Sequence, residues 1–335
     1  VIDGVRWQEV FLGADGQLAA ACGFRAGPWT NARALMPNLR RMMETDGVVI
    51  GAPSHGTPDG RSPASPEPGR NLGPGISASG PNYISLPGYM EIFSGHPDPS
   101  CDSNDCPRPS EPTIADSEGN DAAVVTSWPT IARAASSGEP SFLVSAGRRL
   151  LGNDRVLSSD VEARRILEGA ADASPLPGEG DYRPDAQTAH LALRVLAEAR
   201  PRFLFVGLGD TDEHAHRGYY RGYLEALHAA DAFLGELREV LRTMGPRGEH
   251  TTVLVTTDHG RARDFTDHGA EFPESARVWL VAAGKDVRGR GPLRTSRRYT
   301  LSNVAPTVRA LLGTGSHVGV EELEPALPII GGESR

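Results

Sequence analysis

Short apolar runs that stop at Gly or Asp alternate along this chain with longer segments whose apolar residues return every three or four positions. The runs are VVIG (Val48–Gly51), SFLVSAG (Ser141–Gly147), FLFVGLG (Phe203–Gly209), TTVLVTTD (Thr251–Asp258) and VWLVAAG (Val278–Gly284). Each has the length and the β-branched or aromatic content of a strand covered on both faces. The clearest helix spans Tyr219–Thr243, where Tyr223, Leu227, Ala230, Leu234, Leu237 and Leu241 form one core-facing stripe. Two further helices are predicted over Asp185–Glu198 and Val304–Leu312, the second ended by Gly313. Strands alternating with helices predict an α/β fold, a three-layer α/β/α sandwich around a mostly parallel central sheet.

Two stretches break the alternation. Ala52–Pro81 is rich in Pro, Gly and Ser without periodicity, and Gly95–Asn120 is similar around Cys101 and Cys106. We expect long loops at 52–81 and 95–120 within a single domain covering 1–335, since neither a linker nor an internal repeat is visible. Hydrophobic residues make up 39% of the chain, enough for a substantial core. The formal net charge of −9, with no block of Lys or Arg, argues against a nucleic-acid or anionic-membrane surface and for a small-molecule substrate. No apolar run approaches the roughly 18 residues of a spanning helix. The sequence opens at Val1 inside an apolar segment, so a leader would not be seen, and it carries no signal of oligomeric state. Cys22, in AAACGF, reads as a buried small residue. CDSNDC has no zinc-knuckle spacing and suits a small Cys101–Cys106 disulfide loop, which favours a periplasmic or secreted protein over a cytoplasmic one. Two free thiols in a reducing compartment are the alternative.

Titratable groups collect where the predicted strands end. Asp3 follows the first apolar residues. Asp210, Asp212, Glu213, His214 and His216 follow FLFVGLG, and Asp258 and His259 close TTVLVTTD, with His268 a few residues on. Open α/β sheets bind ligands at the carboxyl ends of their strands. Imidazole mixed with carboxylate suits zinc or a similar divalent ion, whereas oxygen-only sets suit magnesium or calcium.

Five segments in this order and spacing, VIDGVRW, ISLPGYMEIFSG, DTDEHAHRG, TTDHGR…DHG and SNVAPTVRALLG, resemble the alkaline phosphatase superfamily of metal-dependent phosphohydrolases, in particular its nucleotide pyrophosphatase/phosphodiesterase-like branch. The resemblance implies an alkaline-phosphatase-like fold and two divalent metal ions, expected to be zinc with manganese as the alternative. It implies Asp3, Asp258 and His259 as ligands of one ion and Asp212, His216 and His268 as ligands of the other. Asp210 with His214 is a second register of the same Asp-x-x-x-His spacing. Asp212 with His216 is preferred because Gly218 follows soon after the His, as in the family pattern, leaving Asp210, Glu213 and His214 behind the ligands or facing substrate. Ser85 matches the family nucleophile, also a metal ligand, at a helix start before Leu86 and Pro87, and Asn104 matches the Asn that holds a phosphate oxygen. The implied activity is hydrolysis of a phosphate ester, a diester by preference, through a phosphoserine. Phosphomonoesterase and phosphonate hydrolase are alternatives. A sulfatase would need C/S-x-P-x-R, and SLPGY lacks the Arg. A phosphoglycerate mutase would carry a large inserted domain, and a metal-binding module without turnover is the non-enzymatic reading.

Overall fold

The computed structural model describes residues 1–53, 75–152, 159–293, 297–315, 322 and 324–330, so most of the expected 52–81 loop lies outside the described residues. Eight strands matter for the site: β1 Gly47–Ile50, β2 Ala122–Thr126, β3 Leu143–Ala146, β4 Arg149–Gly152, β5 Phe203–Gly207, β6 Val253–Thr256, β7 Leu280–Ala283 and β8 Gly291–Pro292. They form two four-stranded sheets, ordered β8-β1-β7-β6 and β4-β3-β2-β5. The N-terminal residues join them. Ile2 bridges in parallel to Leu208 beyond β5, and its N–H donates to the Thr256 carbonyl at the end of β6 (3.0 Å).

The sheets are mostly parallel, as expected, with one strand in each running against the others. β2 pairs in parallel with β3 and β5, but β7 runs antiparallel to both β1 and β6, and β4 antiparallel to β3. The chain returns from β6 to β7 through a loop and a short 3-10 turn at Pro273–Ala276, and an antiparallel neighbour needs no crossover helix.

Along each strand, alternate residues enter opposite cores. Val49, Ala123, Val125, Val255 and Val281 face the cluster that holds Leu191, Val195, Tyr223, Leu227 and Leu234. Val48, Ile50, Val124, Val144 and Leu280 face the cluster with Leu86, Tyr89, Phe93 and Val304. This period-two split gives the three layers. Helices α2 (Asp185–Glu198) and α4 (Tyr220–Thr243) cover the first face, and α1 (Ser85–Ser94) and α5 (Val304–Leu312) the second. Gly313, at φ 70°, ends α5 as expected.

Four differences from the sequence reading have local causes. The central strand β2, AAVVT, is buried at all five positions and is too short and uniform to show a period. Ile114–Glu118, inside the expected 95–120 loop, is helical because Thr113 and Asp116 cap each other reciprocally. Asp210–His216, for which no helix was predicted, forms the helix α3. Cys22 is exposed rather than buried, at the end of a short helix, with its thiol 3.9 Å from the Gly218 carbonyl.

Candidate metal centre

The N-terminal residues pass between the carboxyl ends of β5 and β6, which sets Asp3 beside the loop that follows β6. The Gly4 N–H donates to Asp258 Oδ1 (3.1 Å), and the Thr211 hydroxyl donates to the Asp3 carbonyl (2.6 Å). Asp3, Asp258 and His259 thereby place ligand-type atoms within 4.8 Å of one another, all buried. His259 Nε2 lies 3.5 Å from Asp3 Oδ1 and 3.4 Å from Asp258 Oδ2. Asp212, His216 and His268 form a second group on the same criterion, with His216 exposed. His216 Nε2 is 3.1 Å from Asp212 Oδ2 and 3.0 Å from His268 Nε2. The rings of His259 and His268 stack at 3.9 Å, so the two groups adjoin.

Cations fit both groups. His259 Nδ1 lies 2.8 Å from the Gly260 carbonyl and His268 Nδ1 2.9 Å from the Tyr83 carbonyl, contacts that require the proton on Nδ1. Each Nε2 then presents a lone pair, to carboxylate oxygens in one case and to another imidazole in the other, an arrangement that a shared proton or metal ion relieves. Asp258 Oδ2 is buried without a hydrogen-bond partner, which is costly unless something positive reaches it.

The protonation equilibria point the same way. Burial and then the Asp258 and Asp212 charges push Asp3 well above the usual carboxylate range. Burial and then Asp212 push Asp258 up to about 7. Burial holds the imidazoles neutral, His259 down to about 4 and His268 to about 3. Asp212 ends well below the ordinary range: burial raises it, but Arg261, His216 and His268 outweigh that. Adjacent buried carboxylates that resist ionising, beside imidazoles that resist protonation, are a donor set short of positive charge.

Ser85 opens α1, and its Oγ lies 3.2 Å from His259 Nε2 and 3.4 Å from Asp3 Oδ1. Its residue is only 4% exposed, so the hydroxyl faces the first group from the positive end of a ten-residue helix. Pro87 in the first turn removes a donor that would have no helical partner. Asn104 accepts from the Leu86 N–H through Oδ1 (3.0 Å), leaving Nδ2 as its donor beside the helix start. The Cys101–Cys106 disulfide closes the loop around Asn104, and Arg133 Nη1 holds that loop through the Asn104 and Cys106 carbonyls.

Other supports escaped sequence reading. Tyr89 donates to Asp3 Oδ2 (2.8 Å) and sits four residues after Ser85, on the same helix face; that spacing was the available signal. Arg261 pairs with Asp212 Oδ1 and also donates to the Phe265 and Thr266 carbonyls, so it backs a member of the second group. Asp210 accepts from the Tyr182 hydroxyl (2.8 Å), and the His214 ring packs against Tyr219; neither joins either ligand group.

Residues 180–315 match the sequence profile of the Metalloenzyme superfamily, a span that contains Asp212, His216, Asp258, His259 and His268. A phosphopentomutase from Methylobacterium sp. (strain 4-46) is 36% identical over 132 residues, which is 38% of this chain and 29% of that protein. The 2,3-bisphosphoglycerate-independent phosphoglycerate mutase 2 of Methanosarcina barkeri (strain Fusaro / DSM 804) is 24% identical over 147 residues, 42% of this chain and 26% of its own length. The chain therefore spans well under a third of these curated relatives. Among solved structures, a mutant of the alkaline phosphatase PafA superposes with a TM-score of 0.57 at 10% identity, covering 99% of this chain and 98% of that one. The phosphonate monoester hydrolase of Agrobacterium radiobacter gives 0.51 at 15% identity, over 93% of this chain and 73% of its own. At such identities the likeness is one of fold.

Proposed function

We propose that this chain, whose fold is alkaline-phosphatase-like and whose residues 180–315 match the Metalloenzyme superfamily profile, is a di-metal phosphoric ester hydrolase, a phosphodiesterase acting through a phosphoserine on Ser85. The observation that carries this reading is the position of the Ser85 hydroxyl, at a helix start and within 3.5 Å of both Asp3 and His259, next to two adjoining groups of metal-ligating atoms. Asp3, Asp258 and His259 would hold one divalent ion with the Ser85 oxygen, and Asp212, His216 and His268 the other. Zinc suits this mixture of imidazole and carboxylate, with manganese as the alternative. Bound ions would supply positive charge that favours ionisation of the hydroxyl and offsets charge gathering on the phosphoryl oxygens.

The protein's own groups do the rest. Ser85 gives its hydroxyl proton to water as its Oγ bonds to phosphorus, the bond to the leaving oxygen breaks, and the departing alkoxide takes a proton back from water. Water then cleaves the phosphoserine ester and restores the hydroxyl. The N–H groups opening α1 and the Nδ2 of Asn104 face the non-bridging oxygens. The small disulfide loop supports a periplasmic or secreted setting.

A phosphomutase is the second reading, favoured by the curated relatives, which include a phosphopentomutase and phosphoglycerate mutases. One experiment separates them. Zinc-loaded protein is turned over with an aryl phosphodiester, quenched in acid, and its Ser85 peptide weighed. A Ser85 peptide carrying the phosphoryl group with its remaining ester, together with one equivalent of released aryl alcohol, is expected, and Ser85→Ala should remove nearly all turnover with the ions retained. A near-normal Ser85→Ala rate would mean direct attack by water. Isomerisation of a sugar phosphate or phosphoglycerate, with no ester hydrolysed, would establish the mutase.

A further inference from the structure

Helix α3 carries both Asp212 and His216, yet it is seven residues long and its N-cap, Gly209, has no side chain with which to cap it. So short a helix is marginal by itself. Its first donors are met from another element. The Gly209 N–H donates to Asp185 Oδ1 (2.8 Å) and the Asp210 N–H to Asp185 Oδ2 (2.9 Å). Asp185 is the first residue of α2, and the exchange is reciprocal: its own N–H donates to Asp210 Oδ1 (3.2 Å). Two helix starts thus cap each other through exchanged carboxylates, a capping box divided between α2 and α3. The Ser127 hydroxyl, at the end of β2, donates to Asp185 Oδ1 (2.5 Å), and Tyr182 donates to Asp210 Oδ1 (2.8 Å). A Cβ at Gly209 would stand 2.9 Å from the Tyr182 oxygen, so the absent side chain is part of the fit.

We propose that Asp185 is a positioning residue for the second metal ion: by capping α3 from α2 it sets where Asp212 and His216 stand relative to His268. The inference rests on the reading of Asp212, His216 and His268 as a metal site. It assigns work to a residue outside both groups of ligand-type atoms, and it explains why Asp210, in the competing ligand register, is engaged elsewhere. A carboxylate is required because each oxygen meets an N–H. In Asp185→Asn, one of those N–H groups must face an amide nitrogen instead.

The test is hydrogen exchange of metal-free protein followed by a zinc titration, on wild type and Asp185→Asn. The variant should exchange its amides over 209–214 at least roughly tenfold faster, with α5 unchanged, because losing a cap opens the helix locally. It should bind the second of two zinc equivalents at least about tenfold more weakly, and the first within about twofold of wild type. Unchanged exchange over 209–214, or equal loss of affinity for both equivalents, would overturn the proposal. If Asp185→Asn does not fold, Ser127→Ala, which loosens the carboxylate and frees the Thr188 hydroxyl on α2, should accelerate the same amides by about threefold, and no acceleration overturns it equally. A wild-type protein that takes up one equivalent would instead overturn the two-ion reading, while the exchange of metal-free protein still decides the cap.

Discussion

His214 and His216 are two positions apart on a helix, which turns their side chains about 160° away from each other. The spacing Asp-x-x-x-His occurs twice in DTDEHAH, so spacing alone could not choose the register, and the later Gly218 was a weak guide. The structure separates the two pairs through neighbours remote in sequence: Asp210 meets Tyr182 and Asp185, His214 meets Tyr219, and Asp212 with His216 meets His268. His216→Ala should therefore lose one ion of two while His214→Ala keeps both; elemental analysis of the two variants checks it, and the reverse result would restore the other register. A second expectation concerns protons. With folded values near 4 and 3, the rings of His259 and His268 should stay neutral in metal-free protein down to below pH 5. The sign follows from linkage: the unfolded chain binds these protons more readily, so the two rings detract from stability as pH falls from about 6.5 towards 4 and contribute nothing above that window. Asp258, pushed up to about 7, acts oppositely, because the folded form keeps a proton that the unfolded chain releases above about pH 4. Stability curves would mix the two effects, so imidazole NMR is the decisive readout. A midpoint near 6.5 for either ring would contradict the burial argument.

Among the elements, the long amphipathic ones were legible and the short buried ones were not. Asp185–Glu198 and Val304–Leu312 have the expected bounds, and the expected Tyr219–Thr243 helix begins one residue later, because a stripe repeated over several turns is a strong signal. β2 has no polar face to create alternation, and α3 is stabilised from outside by Asp185, information absent from its own residues. The helix of the proposed nucleophile was legible at its start, from Ser85 and Pro87, but the reason it lies so close to Asp3, Asp258 and His259 was not. That reason is Gly88. A Cβ there would come within 2.5 Å of the Asp258 carbonyl oxygen and 3.1 Å of its Cβ, so only glycine lets α1 pack directly on the loop of Asp258 and His259. The obstacle is backbone and cannot swing aside. Gly88→Ala should push Ser85 away from His259 and lower both kcat and thermal stability, the rate by at least about tenfold, given the sensitivity of attack geometry to displacements near 1 Å. Activity and melting temperature at wild-type values would show that the contact tolerates a shift.

At the scale of the whole molecule, the question becomes which phosphate ester the charge distribution favours. A monoester brings one more negative charge than a diester, and that charge needs a cation or strong donor on the oxygens remote from the metal ligands. From Asn82 to Asp105 the sequence has no Arg or Lys, while it does have Asp98, Asp102 and Asp105. The arginines that the topology brings nearer are engaged. Arg6 pairs with Glu9 and donates to the Arg263 carbonyl, Arg261 pairs with Asp212, and Arg217 lies 3.6 Å from Glu179. Arg133 reaches the Asn104 loop, but its Nη1 meets the backbone carbonyls there. Among the described residues, the group beside Leu86 that would face a phosphate is the neutral amide of Asn104, matched to the single charge of a diester. We therefore expect kcat/KM for an aryl phosphodiester to exceed that for the corresponding monoester by at least about tenfold, or ~1.4 kcal/mol of differential transition-state binding. Both esters should carry one leaving group and be measured at one pH with zinc-loaded protein. Because the preference is attributed to missing positive charge, Asn104→Arg should narrow the ratio by raising the monoester rate relative to the diester rate. A monoester preference in the wild-type protein would refute the diesterase assignment while leaving the two ligand groups and the Ser85 nucleophile as the working core of a phosphatase.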